Sequence, residues 1–263
     1  MTMYWRAPDG VEISYEVVGE GPPVLLLHGF ASDARTNWVR TGVVDALVAG
    51  GFQATMYDAR GHGKSGKPHY PSAYAASVML DDARGLIDHL GYPGIHVVGY
   101  SMGAKMAIRL ASGDPRVTRA VLGGLGIRLV PIGSAGTAYP AGSIAAALEA
   151  DDAGSITEPT PRAFRAFADA TKADRRALAA LQRARTTEPP LDLEALTVPT
   201  LIVTGEQDTL AGDPTALAAA IPGARYETVP GNHLSAVLSK DFSAVVTSFL
   251  GEPDAMHTNM AFR

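Results

Sequence analysis

The feature that most constrains the fold is a series of short apolar runs along the chain. They are continuous rather than alternating, and they lie at residues 24–27, 53–57, 95–98, 117–122 and 201–204. Such runs are typical of strands that are covered on both faces, as in a parallel sheet. Segments with the apolar spacing of helices separate them, at residues 73–90, 102–111, 214–220 and 241–250. This alternation predicts an α/β fold, in which helices cover both faces of a mainly parallel sheet.

One region interrupts the alternation. Between residues 128 and 196 the sequence shows no strand pattern; residues 130–142 are rich in glycine, proline and alanine, and residues 161–185 are charged with helical spacing. We predict that residues 128–196 form a helical cap inserted between two strands. The core domain would then comprise residues 1–127 and 197–263.

Composition limits the partners and the chemistry. A net charge of −5 over 263 residues gives no electrostatic reason to expect nucleic acid or an anionic membrane as a partner. The absence of cysteine excludes disulfides, thiolate metal ligands and a cysteine nucleophile. No histidine spacing indicates a metal site, and we expect no cofactor. Without a signal-peptide pattern or a membrane-length apolar run, we expect a cytoplasmic monomer or homodimer.

The loop Asp58-Ala-Arg-Gly-His-Gly-Lys-Ser-Gly-Lys-Pro68 contains both G-x-G-x-x-G and Gly-Lys-Ser, which suggests a phosphate-binding loop. A Walker A loop, however, requires glycine where Asp58 stands. Pro68 and Pro71 keep the chain extended where a phosphate-binding helix would begin. We therefore predict a glycine-rich structural turn after a strand.

The segment Gly99-Tyr-Ser-Met-Gly103 carries the strongest chemical signal. It follows the apolar run at 95–98 and opens the helical segment at 102–111, which is the strand–turn–helix setting of a nucleophile elbow. Small residues two positions before and after Ser101 would let the strand and helix approach. The start of the helix would present the Met102 N–H to a developing oxyanion.

A serine nucleophile needs a base, and the base needs an acid that orients it. His233 follows the strand-like segment 225–229, and Asp208 follows the run at 201–204, which completes the order Ser, Asp, His. His28 and His62 are the alternative bases, and Glu206 is the alternative acid. Lys105 is interpreted as a charge on the helix surface.

Together these features resemble the α/β-hydrolase fold over nearly the whole chain. The resemblance rests on His28-Gly29-Phe30, the loop 58–65, the elbow around Ser101, Asp208 and His233. It implies an eight-stranded, mainly parallel sheet with a cap. It assigns Ser101 as nucleophile, His233 as base and Asp208 as acid, and it makes the N–H groups of Phe30 and Met102 the oxyanion hole.

The function implied is hydrolysis of a small-molecule ester or related carbonyl compound, as in a carboxylesterase, lactonase or thioesterase. Phe30, Tyr100 and Met102 are expected to surround the substrate. Alternatives are a cofactor-free perhydrolase, a non-enzymatic receptor, and a carbon–carbon bond hydrolase. Tyr100 and Ala104 stand where the last group usually has Asn and Gly. Serine at 101 does not match the aspartate nucleophile of epoxide hydrolases and haloalkane dehalogenases.

The sequence does not fix the charge of the substrate. If the substrate is anionic, Arg60 and Arg128 are the candidates to bind it, since Arg60 lies in the glycine-rich loop and Arg128 begins the predicted cap.

Overall fold

A single eight-stranded sheet organises the chain in a computed structural model that describes residues 1–130, 141–185 and 189–253. The spatial strand order is β1-β2-β4-β3-β5-β6-β7-β8; the β1–β2 and β2–β4 pairs are antiparallel, and the other five pairs are parallel. The strands are β1 Met3–Arg6, β2 Glu12–Val18, β3 Pro23–Leu27, β4 Gln53–Tyr57, β5 Ile95–Tyr100, β6 Val117–Gly123, β7 Thr200–Gly205 and β8 Arg225–Val229. The predicted fold class is confirmed.

Strand β3 shows why the apolar runs are continuous. Successive side chains of a strand point to opposite faces. Leu25 and Leu27 pack into the core on one side of the sheet, and Val24 and Leu26 pack into the core on the other side. All four are buried, so neither face of this strand meets solvent.

Helices cover the two faces as predicted. They are α1 Val43–Ala49, α2 Ala76–Leu90, α3 Met102–Ala111, α4 Ala141–Glu149, α5 Pro159–Ala170, α6 Arg175–Ala184, α7 Pro214–Ala219 and α8 Lys240–Leu250. Side chains of α1 and α8 fill one core, and those of α2, α3 and α7 fill the other. No helix in the described ranges is both long enough and apolar enough to cross a membrane.

Several elements differ from the sequence-based expectation. Strands and helices as short as β1 and α1 carry too few residues to show a period, and neither was predicted. The helix expected at 73–90 begins only at Ala76, because Pro71–Tyr74 form a separate 3-10 turn and Ala75 is extended.

Helix α4 packs against both α5 and α6, and all three lie between β6 and β7 in the chain, in the region predicted as a cap. The segment 161–185, expected as one helix, is two. Lys172 has a left-handed backbone with φ of 56°, and the Asp174 side chain accepts from the Arg176 and Ala177 N–H groups to start α6. Residues 131–140 of the predicted cap and the tail 254–263 lie outside the described residues, and the domain boundaries stay a prediction.

The glycine-rich loop after β4 is a structural element. Arg60 is 1% exposed, and its guanidinium donates to Asp82 at 2.6 and 2.7 Å, to Asp9 at 2.7 Å and to the Ala73 carbonyl at 2.9 Å. These bonds tie the loop to α2 and to the N-terminal segment. The hypothesis that Arg60 binds an anionic substrate is therefore wrong, because its donors are already bound inside the protein.

Replacing Arg60 by methionine should lower the free energy of unfolding by about 3 kcal/mol, because the buried Asp82 carboxylate loses its charged partner. Urea unfolding followed by circular dichroism measures this. Arg84→Met is the control, since Arg84 lies 4.0 Å from the exposed Asp81 carboxylate. That variant should change stability by less than about 1 kcal/mol. Equal stability of the two variants would contradict the structural role of Arg60.

Candidate active site

Ser101 occupies a strained turn between β5 and α3. Its backbone has φ of 52° and ψ of −105°, a region that non-glycine residues rarely adopt. The Ser101 N–H donates to the Gly123 carbonyl of the neighbouring strand at 2.8 Å, which helps to hold the turn. The turn sets the serine at the carboxyl end of the sheet, where open α/β sheets place their sites.

The two glycines of this segment are required by close backbone contacts. A methyl group on Gly103 would overlap the Leu27 carbonyl at the end of β3. One on Gly99 would overlap the Gly103 carbonyl in the first turn of α3. Helix α3 therefore begins in direct contact with two strands, and only glycine fits at both positions.

The three predicted catalytic side chains meet at one point. His233 Nε2 lies 3.0 Å from Ser101 Oγ, and His233 Nδ1 lies 2.8 Å from Asp208 Oδ2. The Asp208 carboxylate is fully buried, and its other oxygen accepts from the Ala211 N–H at 2.9 Å. Glu206, the alternative acid, is exposed. The geometry is that of a serine, a base and an orienting acid in one hydrogen-bonded chain.

Tyr100 supports the histidine loop as well as the cavity. Its hydroxyl donates to the His233 backbone carbonyl at 2.9 Å, and the two rings lie 5.9 Å apart. Burial raises the pKa of Tyr100, so the hydroxyl keeps its proton and stays a donor. The sequence predicted Tyr100 only as a substrate contact.

The predicted oxyanion donors lie on two different elements. Phe30 follows β3, and Met102 is the first residue of α3. Within the described residues, neither backbone N–H has a hydrogen-bond acceptor in the protein. Asn37, which the sequence did not single out, fixes the Phe30 loop: its Oδ1 accepts from the Gly29 N–H at 2.9 Å. Asn37 belongs to a short π-helical turn, Arg35–Val39, that has no periodic sequence signal.

Both ring nitrogens of His28 and of His62 are hydrogen-bonded to backbone groups. His28 Nε2 accepts from the Ala59 N–H at 2.9 Å, and His62 Nε2 accepts from the Ala31 N–H at 3.2 Å. Each Nδ1 faces a carbonyl oxygen, at 2.8 and 3.0 Å, and so must donate a proton to it. Both rings therefore connect the Phe30 loop to the glycine-rich loop, and backbone groups occupy the nitrogens that a base for Ser101 would need.

Two cavities adjoin at the histidine. The smaller, about 200 Å³, contains Ser101 in its wall, together with Phe30 and Tyr100. The larger, about 680 Å³, is bounded by Arg128, Gln207 and residues of α5. Four residues line both: Phe164, Phe167, His233 and Leu234.

Two side chains lie elsewhere than predicted. Lys105 is 6% exposed and therefore buried in α3 rather than placed on the helix surface. The Met102 side chain, expected to contact the substrate, packs against the main hydrophobic core and lines neither cavity. The prediction of its backbone N–H as an oxyanion donor is independent of where its side chain lies.

Comparison with known proteins agrees with this architecture. Residues 24–246 match the model of the alpha/beta hydrolase family. A hydrolase structure from Pseudomonas aeruginosa PA01 is 29% identical, with a TM-score of 0.75 over 95% of this chain and 98% of its own. A bromoperoxidase from Bacillus anthracis is 25% identical, with a TM-score of 0.78 over 96% of this chain and 100% of its own.

A curated relative, epoxide hydrolase 2 from Siraitia grosvenorii, is 35% identical over 99 residues. The match covers 38% of this chain and 30% of the relative. The chain therefore matches about a third of that protein's length, and the likeness concerns part of the fold rather than the whole molecule.

Gly103→Ala should lower the free energy of unfolding by about 3 kcal/mol, because the added methyl group meets the Leu27 carbonyl and the backbone must move. Urea unfolding measures the change. Gly142→Ala is the matched control, since a methyl group there has no neighbour within 4 Å and the residue lies in α4. The free energy of unfolding of this control should increase by up to about 1 kcal/mol. A Gly103→Ala protein as stable as the wild type would contradict the close approach of α3 and β3.

Because His62 is buried, we predict that the protein loses stability in acid. Burial lowers the pKa of His62 to about 3. Below the ordinary histidine pKa of about 6.5 the unfolded chain binds a proton that the folded protein does not. Folding stability should therefore fall as the pH drops from about 6.5 towards 3.

Urea unfolding between pH 6 and pH 4 measures this effect. As the pH falls, the free energy of unfolding of the wild type should decrease by about 1.4 kcal/mol per pH unit more than that of His62→Gln. The glutamine variant has no titrating group at this position. The comparison depends on the slope and not on the absolute stability of the variant. Equal slopes for the two proteins would show that His62 accepts a proton in the folded state.

Proposed function

The chain belongs to the alpha/beta hydrolase family, and from this premise we propose that it is a serine hydrolase that cleaves an ester or related carbonyl compound. The observation that carries the proposal is the hydrogen-bonded chain from Ser101 Oγ through His233 to Asp208, with distances of 3.0 and 2.8 Å. This arrangement can convert a serine hydroxyl, which is otherwise a weak nucleophile, into one that attacks a carbonyl.

In the proposed first half-reaction, Ser101 Oγ forms a bond to the carbonyl carbon while its proton moves to His233 Nε2. The buried Asp208 carboxylate stabilises the resulting imidazolium through Nδ1–H. The N–H groups of Phe30 and Met102 donate to the oxyanion. The carbon–oxygen bond to the alcohol then breaks, and His233 returns the proton to the leaving oxygen.

In the second half-reaction, water repeats these steps on the acyl-enzyme. His233 takes a proton from the water, whose oxygen attacks the carbonyl carbon of the Ser101 ester. Collapse of the tetrahedral intermediate releases a carboxylic acid and returns the proton to Ser101 Oγ. Atoms balance as one ester plus one water giving one acid and one alcohol, with no other reactant.

Serine favours this chemistry over the opening of epoxides, despite the likeness to a relative named for that activity. Attack of a hydroxyl on an epoxide carbon would form an ether on Ser101, which water does not cleave under mild conditions. A carboxylate nucleophile would form an ester, which water can cleave. Only a carbonyl substrate therefore gives Ser101 an intermediate that turns over.

A second candidate function, the formation of a peracid, has the same first half-reaction as ester hydrolysis. Hydrogen peroxide could replace water as the acceptor of the acyl group and yield a peracid, as in the cofactor-free perhydrolases considered above. The 25% identity to a bromoperoxidase over nearly the whole chain favours this candidate over carbon–carbon bond cleavage. Both candidates require the acyl-enzyme on Ser101.

We expect the protein to hydrolyse p-nitrophenyl acetate and butyrate and to be labelled by a fluorophosphonate. Ser101→Ala should lose about 10⁵-fold in kcat and all labelling, because no other group replaces the nucleophile. Ser112→Ala, at the far end of α3, is the control and should keep turnover within about twofold. Full turnover by Ser101→Ala would refute the nucleophile, and absence of both turnover and label in the wild type would refute the proposed function.

A further inference from the structure

The two cavities can be assigned to the two halves of an ester, an assignment that rests on the proposed function. In an acyl-enzyme the acyl carbon is bonded to Ser101 Oγ. The acyl group therefore begins in the cavity that contains Ser101, which has a volume of about 200 Å³. The leaving oxygen receives its proton from His233, which also lines the cavity of about 680 Å³. This division predicts a substrate with a small acyl group and a larger alcohol portion.

Arg128 is the charged group in the wall of the larger cavity. Its Nη1 donates to the Thr209 carbonyl at 3.1 Å, and its aliphatic stem lies against Gly212, whose φ is 77°. A side chain at position 212 would collide with this stem. The backbone of the segment that follows Asp208 thus holds the guanidinium at the cavity.

The charge of Arg128 has no partner among the described residues, because no carboxylate there lies within ion-pair distance of its guanidinium. Asp208, the neighbour in sequence of the Thr209 that binds Arg128, is buried and paired with His233. Asp213, near the Arg128 backbone, accepts from Thr215 instead. The two segments between residues 131 and 188 that lie outside the description contain one acid, Glu188.

We propose that the alcohol portion of the substrate carries an anionic group that Arg128 binds. The guanidinium keeps its charge at all relevant pH values and donates through a planar fork, which suits a carboxylate. One donor is bound to the Thr209 carbonyl, which leaves the others for a ligand in the cavity that Arg128 lines. The substrate class is therefore a short-chain acyl ester of an alcohol or phenol that bears a carboxylate.

Two acetates with the same leaving-group skeleton test this: 3-carboxy-4-nitrophenyl acetate and 3-carbamoyl-4-nitrophenyl acetate. They differ in charge but hardly in shape. The quantity measured is the ratio of their kcat/KM values in each variant. Dividing the ratio of a variant by that of the wild type cancels the difference in intrinsic reactivity between the two esters.

Arg128→Gln should lower this ratio by about tenfold, because the carboxylate loses a charge-assisted hydrogen bond. Arg128→Lys should lower it by less, since the charge remains without the fork. Arg162→Gln is the matched control: Arg162 is an exposed arginine of α5, the helix that borders the cavity, but it does not line the cavity. It removes the same charge nearby and should leave the ratio within about twofold.

The outcomes separate the two proposals. If the wild type hydrolyses both esters but Arg128→Gln leaves the ratio unchanged, or Arg162→Gln lowers it equally, the role of Arg128 is overturned while the serine hydrolase stands. If the wild type hydrolyses neither ester and Ser101 takes no fluorophosphonate label, both proposals fail. Arg128→Lys decides the question if the glutamine variant does not fold, as judged by circular dichroism.

Discussion

The contact between the start of α3 and the end of β3 is the constraint on which the site depends. Gly103 lies against the Leu27 carbonyl, and Gly99 lies against the first turn of the helix. The chain can make this contact only by turning sharply at Ser101, which accepts a positive φ of 52°. Such a conformation costs about 1–3 kcal/mol, and the packing of the strands and helix around it offsets this cost.

A second layer of buried polar groups holds the loops at the same edge of the sheet. Asn37 fixes Gly29, and His62 fixes Ala31, a second non-glycine residue with positive φ. Asp58 accepts from the Ser14 hydroxyl and from the Ala34 and Lys64 N–H groups. Asp58 and His62 thus bond to neighbouring segments of the protein. The glycine-rich loop, which first suggests a phosphate site, braces the Phe30 loop instead.

The structural features that could be predicted from the sequence are those that depend on local patterns of residues. The bounds of β4 and α3 agree with the predicted apolar run and helical segment, because buried strands and helix faces impose their periods on the sequence. The bounds of β8 also agree, although four of its five residues are exposed. The convergence of Ser101, Asp208 and His233 followed from their places at strand ends. Asn37 could not be predicted, since its role depends on an irregular turn that brings its amide to Gly29. The break between α5 and α6 was missed although the Asp174 side chain caps α6 locally, and the two cavities depend on tertiary packing.

The proposed mechanism requires that Ser101 forms a covalent acyl-enzyme. Peptide mass spectrometry of the wild type, mixed with p-nitrophenyl butyrate and quenched in acid within milliseconds, detects such an intermediate. A butyryl group is expected on the peptide that contains Ser101, present during turnover and absent once the ester is consumed. Turnover of the ester with no adduct on that peptide, or with the adduct on another residue, would contradict it.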